Sequence, residues 1–109
     1  IEITQGIVST LKQTEKCDLI ICLSHLGYKY NDYQNKVSDT SLAKATKNID
    51  LIIGGHTHTF LKKPVVIDNI VGEKVIINQV GCHGLFLGKI DFYFDSFKNK
   101  KYEGVSIEV

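Results

Sequence analysis

The sequence has 109 residues and a mass of 12.2 kDa, which is the size of one domain. Its 43% hydrophobic and 23% charged residues are typical of a globular chain and exclude disordered, collagen-like and membrane-spanning proteins. The 13 basic and 12 acidic side chains nearly balance, so no strong field gathers nucleic acid or a membrane surface. Since every basic residue is lysine, phosphate chemistry would depend on metal, lysine or backbone groups.

The first half of the chain predicts a helix, a strand, a second helix and a second strand. Apolar residues recur at helical spacing over residues 2–16, and residues 18–25 form a continuous apolar run typical of a strand covered on both faces. After a polar loop, Ser38 or Asp39 is expected to cap a short helix. Residues 50–56 then repeat the Asp-Leu-Ile-Ile pattern and again end at a histidine.

This order of elements is a βαβ unit, whose two strands are expected to be parallel. Their carboxyl ends then lie at one edge of the sheet, with His25 after the first strand and His56 after the second. Loops at that edge are where open α/β sheets place their ligands.

The second half of the chain changes to a period of two, which predicts strands rather than helices. Turn-forming residues at 68–73 and 96–101 indicate hairpins, so an antiparallel or mixed sheet is expected. The strand candidates are residues 65–67, 74–80, 88–94 and 105–109.

The His56-Thr57-His58 tripeptide is the most informative motif. On an extended backbone its two imidazoles would project to the same side, and Gly54 and Gly55 would let the backbone turn tightly and leave space for an ion. Together with His25, these residues predict a metal site, since neutral imidazole is a common ligand of divalent ions. The alternative is that each histidine is a loop residue bonded to a backbone carbonyl.

Other candidate residues have a structural interpretation beside the functional one. His83 lies between glycines and would either rim the same pocket, as a substrate-binding candidate, or face solvent. Asp39 could bind metal, but capping a helix is the more economical use of its side chain. Three lone cysteines, Cys17, Cys22 and Cys82, are expected to be buried free thiols.

Three segments carry a family resemblance. Residues 18–27 (DLIICLSHLG), 49–58 (IDLIIGGHTH) and 78–91 (NQVGCHGLFLGKID) are similar to the carboxyl half of a calcineurin-like metallophosphoesterase, in the 5'-nucleotidase and UDP-sugar hydrolase branch. The resemblance covers the chain from about residue 17 to residue 95.

The resemblance implies half of a four-layer α/β/β/α sandwich and a hydrolase of phosphoric esters, nucleotides among them. In that family a hydroxide bridging two divalent ions (Zn, Mn, Mg or Fe) attacks the phosphorus. Carried over residue by residue, His25 and His56 match ligands of one ion, and His58 matches a ligand of the other. No residue here matches the general acid of the family.

The sequence departs from the family by lacking its Asp-x-His, Gly-Asp and Gly-Asn-His motifs. Residues 1–109 are therefore expected to be the carboxyl-terminal part of the catalytic domain, inactive without an amino-terminal partner half. The resemblance also implies a periplasmic or extracellular location. Neither nucleic acid nor a membrane segment is expected for this chain.

Two other functions compete with this interpretation. His25, His56 and His58, with or without Cys82, could hold one zinc ion in a non-catalytic module. The second competing function is that of a degenerate phosphoesterase-like domain that is kept for partner binding. Substrate identity is open: three tyrosines, Tyr28, Tyr30 and Tyr33, could stack on a base, although surface tyrosines are more common.

Overall fold

The computed structural model describes residues 1–31 and 35–109. In chain order the described elements are α1 (Glu2–Gln13), β1 (Ile21–Leu23), α2 (Asp39–Ala45), β2 (Leu51–Ile53), β3 (Val65–Asp68), β4 (Lys74–Asn78), β5 (Phe86–Phe94) and β6 (Lys100–Glu108). The predicted α/β class and order of elements are confirmed. Neither of the two helices in these residues has the length and apolar character needed to cross a bilayer.

Four strands form one mixed sheet in the order β1-β2-β4-β3. The first three are parallel, and β3 pairs antiparallel with β4 through the predicted hairpin. Leu23 lies opposite Ile53, and Ile53 lies opposite Asn78, so the three parallel strands end at the same level. The loops that follow them therefore meet at one edge of the sheet.

The helix between β1 and β2 begins with a reciprocal cap. The Ser41 backbone N–H donates to Ser38 Oγ at 3.3 Å, and the Ser38 N–H donates to Ser41 Oγ at 2.8 Å. This arrangement satisfies two N–H groups that a helix start leaves unpaired. Of the two residues predicted as caps, Ser38 has that role, and Asp39 is instead the first residue of the helix.

The hydrophobic core lies between the helices and one face of the sheet. It contains Val8, Ile20, Leu42, Ala43, Ile49, Ile52, Val75 and Ile77, each at most 4% exposed. Burial of these aliphatic side chains is the main stabilising contribution, at roughly 25 cal/mol per Å² of apolar surface. The three cysteines are free thiols, as predicted, but all three are only half-buried.

The opposite face of the sheet is partly open, so the prediction that β1 is covered on both sides is wrong. Ile21, Leu23 and Ile53 on that face are 46%, 80% and 43% exposed. The β5–β6 hairpin covers only part of it, and a cleft remains between the hairpin and the sheet. A continuous apolar run indicates that a strand prefers burial, but it does not supply the layer that buries it.

The hairpin of β5 and β6 is a separate two-stranded sheet. It is joined to the larger sheet at the end far from the histidines, where Lys100 pairs with Asp50 and Lys98 pairs with Asp18. Near the other end, Ser106 Oγ donates to the Leu61 carbonyl at 2.7 Å. These contacts hold the hairpin beside the open face.

Replacing Ile77 by alanine tests the position of the core. Ile77 is completely buried in the central strand β4, so we expect Ile77→Ala to lower the free energy of unfolding by about 2–5 kcal/mol. Ile70→Ala is the matched control, because Ile70 is 66% exposed, and its effect should stay below about 0.5 kcal/mol. If urea titrations gave equal losses of unfolding free energy for the two variants, this assignment of the core would be contradicted.

Candidate functional site

Four histidines lie at the edge where the parallel strands end. His25 follows β1, His56 and His58 follow β2, and His83 lies on the loop after β4. All four side chains are exposed. The prediction that the parallel strands bring histidines from separate loops to one edge of the sheet is confirmed.

His25 and His56 form the tightest pair of imidazoles. Their ring centroids are 5.2 Å apart, and the ring planes make an angle of 71°. Imidazole nitrogens bind zinc at about 2.0–2.1 Å, so two rings sharing one ion at a tetrahedral angle have centroids about 5 Å apart. The spacing of this pair therefore fits a shared divalent ion.

His58 has a ring contact with His83. The centroids of these two rings are 6.3 Å apart, with an angle of 62° between the planes. Two imidazoles reach a separation of about 6.4 Å around one ion only when they lie on opposite sides of it. The second pair is therefore too wide, as it stands, to bind an ion as a chelating unit.

The backbone of the tripeptide is not extended, and its two imidazoles contact different rings, those of His25 and His83. His56 has a φ of 74° and His58 a φ of 51°, both in the left-handed region that non-glycine residues adopt rarely. The extended backbone on which the prediction of a common ring direction was based is therefore not present. In residues 1–31 and 35–109 no three His, Cys, Asp or Glu side chains converge on one ion position, which disfavours a zinc module built from His25, His56, His58 and Cys82.

Gly54 and Gly55 are needed for close approach, not for a tight turn. Neither has a positive φ. A Cβ at Gly54 would overlap the carboxylate of Asp39, and one at Gly55 would lie 3.0 Å from Nδ1 of His25. The absence of a side chain at Gly55 thus leaves space for the His25 ring to pack beside the loop of His56.

Asp39 is a buried link between two loops. Its side chain is fully buried, Oδ1 accepts a hydrogen bond from Ser24 Oγ, and Oδ2 lies against Gly54 with no hydrogen-bond partner among the described residues. Burial raises the pKa of the Asp39 carboxyl, and the bond from Ser24 partly opposes this. The expectation of a capping role is wrong, and the carboxyl is turned into the protein rather than toward the exposed imidazoles.

Gln79 makes three side-chain hydrogen bonds beneath the histidines, although it was not among the predicted site residues. It directly follows β4 and is 2% exposed. Its Oε1 accepts from the Thr59 N–H at 2.6 Å and from Thr57 Oγ1 at 3.2 Å, and its Nε2 donates to the Gly55 carbonyl at 3.0 Å. The available signals were its polar side chain directly after an apolar strand and its place in the segment 78–91 that resembles the family.

Thr57 connects the loop of His56 and His58 to the loop of His25. Its hydroxyl accepts from the Tyr28 N–H at 3.0 Å and lies 2.8 Å from the hydroxyl of Thr59. The loop after β1 is further fixed by the Asp39 N–H, which donates to the Gly27 carbonyl at 2.8 Å. The three loops at this edge are therefore one hydrogen-bonded unit.

Two of the three tyrosines considered as base-stacking candidates, Tyr28 and Tyr30, make contacts within the fold. Tyr28 packs against the core cluster, and the hydroxyl of Tyr30 donates to the Leu26 carbonyl at 2.7 Å. The Lys36 ammonium stands 4.2 Å from the centre of the Tyr30 ring, a cation–π contact. Tyr33 lies outside the described residues.

The raised pKa of Asp39 predicts a specific pH dependence of stability. Between about pH 4, where an unfolded aspartate ionises, and its higher folded pKa, the folded state binds more protons, so the free energy of unfolding falls as pH rises. Asp39→Asn keeps the acceptor for Ser24 and should remove this decline when unfolding is measured from about pH 3.5 to 7. Asp68→Asn, at an exposed ion pair, is the control and should retain it; identical profiles for the two variants would contradict the argument.

Comparison with curated proteins finds relatives named as a nucleotide phosphoesterase and an apyrase. No family model matches the chain. The chain is 42% identical over 94 residues to the Trifunctional nucleotide phosphoesterase protein YfkN of Bacillus subtilis, covering 86% of this chain and 6% of that protein. It is 34% identical to an apyrase of Tabanus yao, covering 89% of this chain and 19% of the apyrase.

A solved structure agrees in fold over nearly the whole chain. The 5'-nucleotidase precursor of Thermus thermophilus superimposes with a TM-score of 0.82 at 28% identity, covering 98% of this chain and 22% of that one. The chain thus spans about a fifth or less of the length of these three relatives. The resemblance found in the sequence is confirmed: the chain belongs to the 5'-nucleotidase branch of the calcineurin-like metallophosphoesterases.

Proposed function

We propose that this chain is the carboxyl-terminal part of the catalytic domain of a metal-dependent phosphoric ester hydrolase acting on nucleotides. The observation that carries the proposal is the His25–His56 pair, whose centroid separation of 5.2 Å fits two imidazoles on one divalent ion. Its position supports the proposal too, because the aligned carboxyl ends of parallel strands are the usual ligand site of such sheets.

In this proposal His25 and His56 hold one ion, and His58 contributes to the second. The division of the imidazoles into two ring pairs, His25 with His56 and His58 with His83, supports a division of the ligands between two ions. Two divalent ions, of zinc, manganese, magnesium or iron, would supply positive charge that stabilises the phosphoryl oxygens during hydrolysis. The chain's own contribution is to orient neutral nitrogen ligands from loops that Thr57 and Gln79 hold together.

The remaining ligands are proposed to come from an amino-terminal partner half. Neutral imidazoles alone leave two dications without an anionic bridge, and each ion needs about four ligands. The open sheet face with exposed Ile21, Leu23 and Ile53 gives such a half an apolar surface beside the histidine edge. The small share of its relatives that this chain spans also supports a longer protein.

Nucleotides are the proposed substrates because the relatives are named as a nucleotide phosphoesterase, an apyrase and a 5'-nucleotidase. The Thermus relative is described as a precursor, which supports an extracytoplasmic location for this protein as well. Tyr28 and Tyr30 make contacts within the fold, so neither is proposed to recognise the base.

Alanine variants of the histidines test the proposal in the full-length protein. Loss of a ligand from an ion that stabilises the transition state by several kcal/mol should lower kcat/KM for a nucleoside monophosphate about a hundredfold or more in His25→Ala and His56→Ala. His58→Ala should also lower kcat/KM. Chelation with EDTA should abolish the wild-type rate, and added Zn²⁺ or Mn²⁺ should restore it.

His83→Ala is the internal control for these variants. The 6.3 Å spacing of His58 and His83 does not suit two imidazoles chelating one ion, so the His83→Ala variant is expected to keep kcat/KM within about fivefold of wild type. Near-normal rates for His25→Ala and His56→Ala would defeat the proposed function, whatever His83→Ala does.

Residues 1–109 expressed alone should hydrolyse neither nucleotides nor p-nitrophenyl phosphate above background. The reason is that no carboxylate joins either histidine pair among the described residues, so an ion would be under-coordinated. Metal-dependent phosphate release by the isolated chain, measured with and without EDTA, would refute the need for a partner half.

A further inference from the structure

The left-handed backbone at His56 and His58 requires an external restraint. Non-glycine residues in this region are strained by about 1 kcal/mol or more, and such residues persist only when their surroundings over-determine them. Both residues lie in an exposed loop between β2 and β3, so the core does not hold them directly. The restraint must come from hydrogen bonds to the loop backbone.

Gln79 supplies those hydrogen bonds at both ends of the tripeptide. Its Nε2 donates to the carbonyl of Gly55, in the peptide group that precedes His56. Its Oε1 accepts from the N–H of Thr59, in the peptide group that follows His58. One planar amide thus fixes the peptide on each side of the two imidazoles.

The residue between the histidines is bound by the same amide. Thr57 Oγ1 donates to Gln79 Oε1 at 3.2 Å, and the Thr57 N–H donates to the Gly55 carbonyl at 3.0 Å. The Gly55 carbonyl therefore accepts two hydrogen bonds, one from Gln79 and one from within the loop. These bonds leave the segment from Gly55 to Thr59 little freedom to return to the extended backbone.

The burial of Gln79 makes these bonds strong determinants of loop shape. At 2% exposure the amide has no access to water that could replace a lost partner, so an alternative loop conformation would leave buried polar atoms unpaired. The strand before Gln79 is anchored in the sheet centre, where Ile77 is fully buried. Gln79 thus transfers the rigidity of β4 to the histidine loop.

We propose that Gln79 is a positioning residue that fixes the left-handed backbone of His56 and His58 and so presets both imidazoles for metal. This inference rests on the proposed function of the histidines. Residues that orient ligands without touching the ion typically contribute about 10–100-fold to metal affinity.

The test uses the full-length apo protein and Zn²⁺, measured by competition with a chromophoric chelator. Gln79→Leu removes all three hydrogen bonds at similar volume and should weaken Zn²⁺ binding about 10–100-fold. Gln79→Glu retains the acceptor for Thr59 and should lie between Gln79→Leu and wild type. Gln79→Leu should also increase amide hydrogen exchange at Thr59 in the absence of metal, because the Thr59 N–H loses its acceptor, and this readout is independent of activity.

Asn69→Leu is the matched control. Asn69 is another buried amide, 7% exposed, whose Oδ1 accepts from the N–H groups of Val71 and Glu73 in the distant β3–β4 turn. It should lower stability while leaving Zn²⁺ affinity within about twofold, because its loop carries no histidine. Equal losses of affinity in Asn69→Leu and Gln79→Leu would overturn the positioning role.

His56→Ala separates failure of this inference from failure of the proposed function. If His56→Ala weakens Zn²⁺ binding and Gln79→Leu does not, the positioning role is wrong and the metal site stands. If neither variant weakens it, the metal site is wrong and the inference falls with it. Should Gln79→Leu not fold, the Zn²⁺ affinity of Gln79→Glu, which loses the bond to the Gly55 carbonyl, decides, and a wild-type affinity would refute the proposal.

Discussion

The in-register parallel pairing of β1, β2 and β4 is the constraint on which the histidine edge depends. Ladder hydrogen bonds continue one step beyond the strands, from the Ser24 N–H to the Ile53 carbonyl and from the Gly54 N–H to the Asn78 carbonyl. A slip of one residue would shift a loop by about 3.3 Å and turn its side chains to the other face. The register therefore sets which loops can bring imidazoles together.

Buried polar side chains then refine what the register brings close. The Asp39 carboxyl accepts a hydrogen bond from Ser24 and packs against Gly54. The Gln79 amide binds the peptide groups on both sides of the segment from His56 to His58. Both are nearly or fully buried, where an unmade hydrogen bond is most costly. The exposed histidines thus stand above a layer of buried hydrogen bonds, which is what the proposed site needs if ions are to bind without reorganising its loops.

Local patterns were sufficient for much of the fold. The paired apolar runs predicted β1 and β2, the intervening Ser38 predicted the start of α2, and the turn at residues 68–73 predicted the β3–β4 hairpin. The exposed face of β1 was not predictable in the same way. An apolar run records a preference for burial, whereas the layer that covers it is decided by which other segments are present.

The sequence by itself determined that His25 and His56 lie at the carboxyl edge of a parallel sheet, since apolar runs, a crossover helix and chain chirality suffice for that. Only the tertiary structure decided that His56 faces His25 while His58 faces His83. The reason is that the direction of each ring follows from left-handed φ values held by Gln79, a residue more than twenty positions away from His56 and His58. Such distant hydrogen bonds leave no trace in local periodicity, so side-chain pairing at the edge could not be inferred from spacing alone.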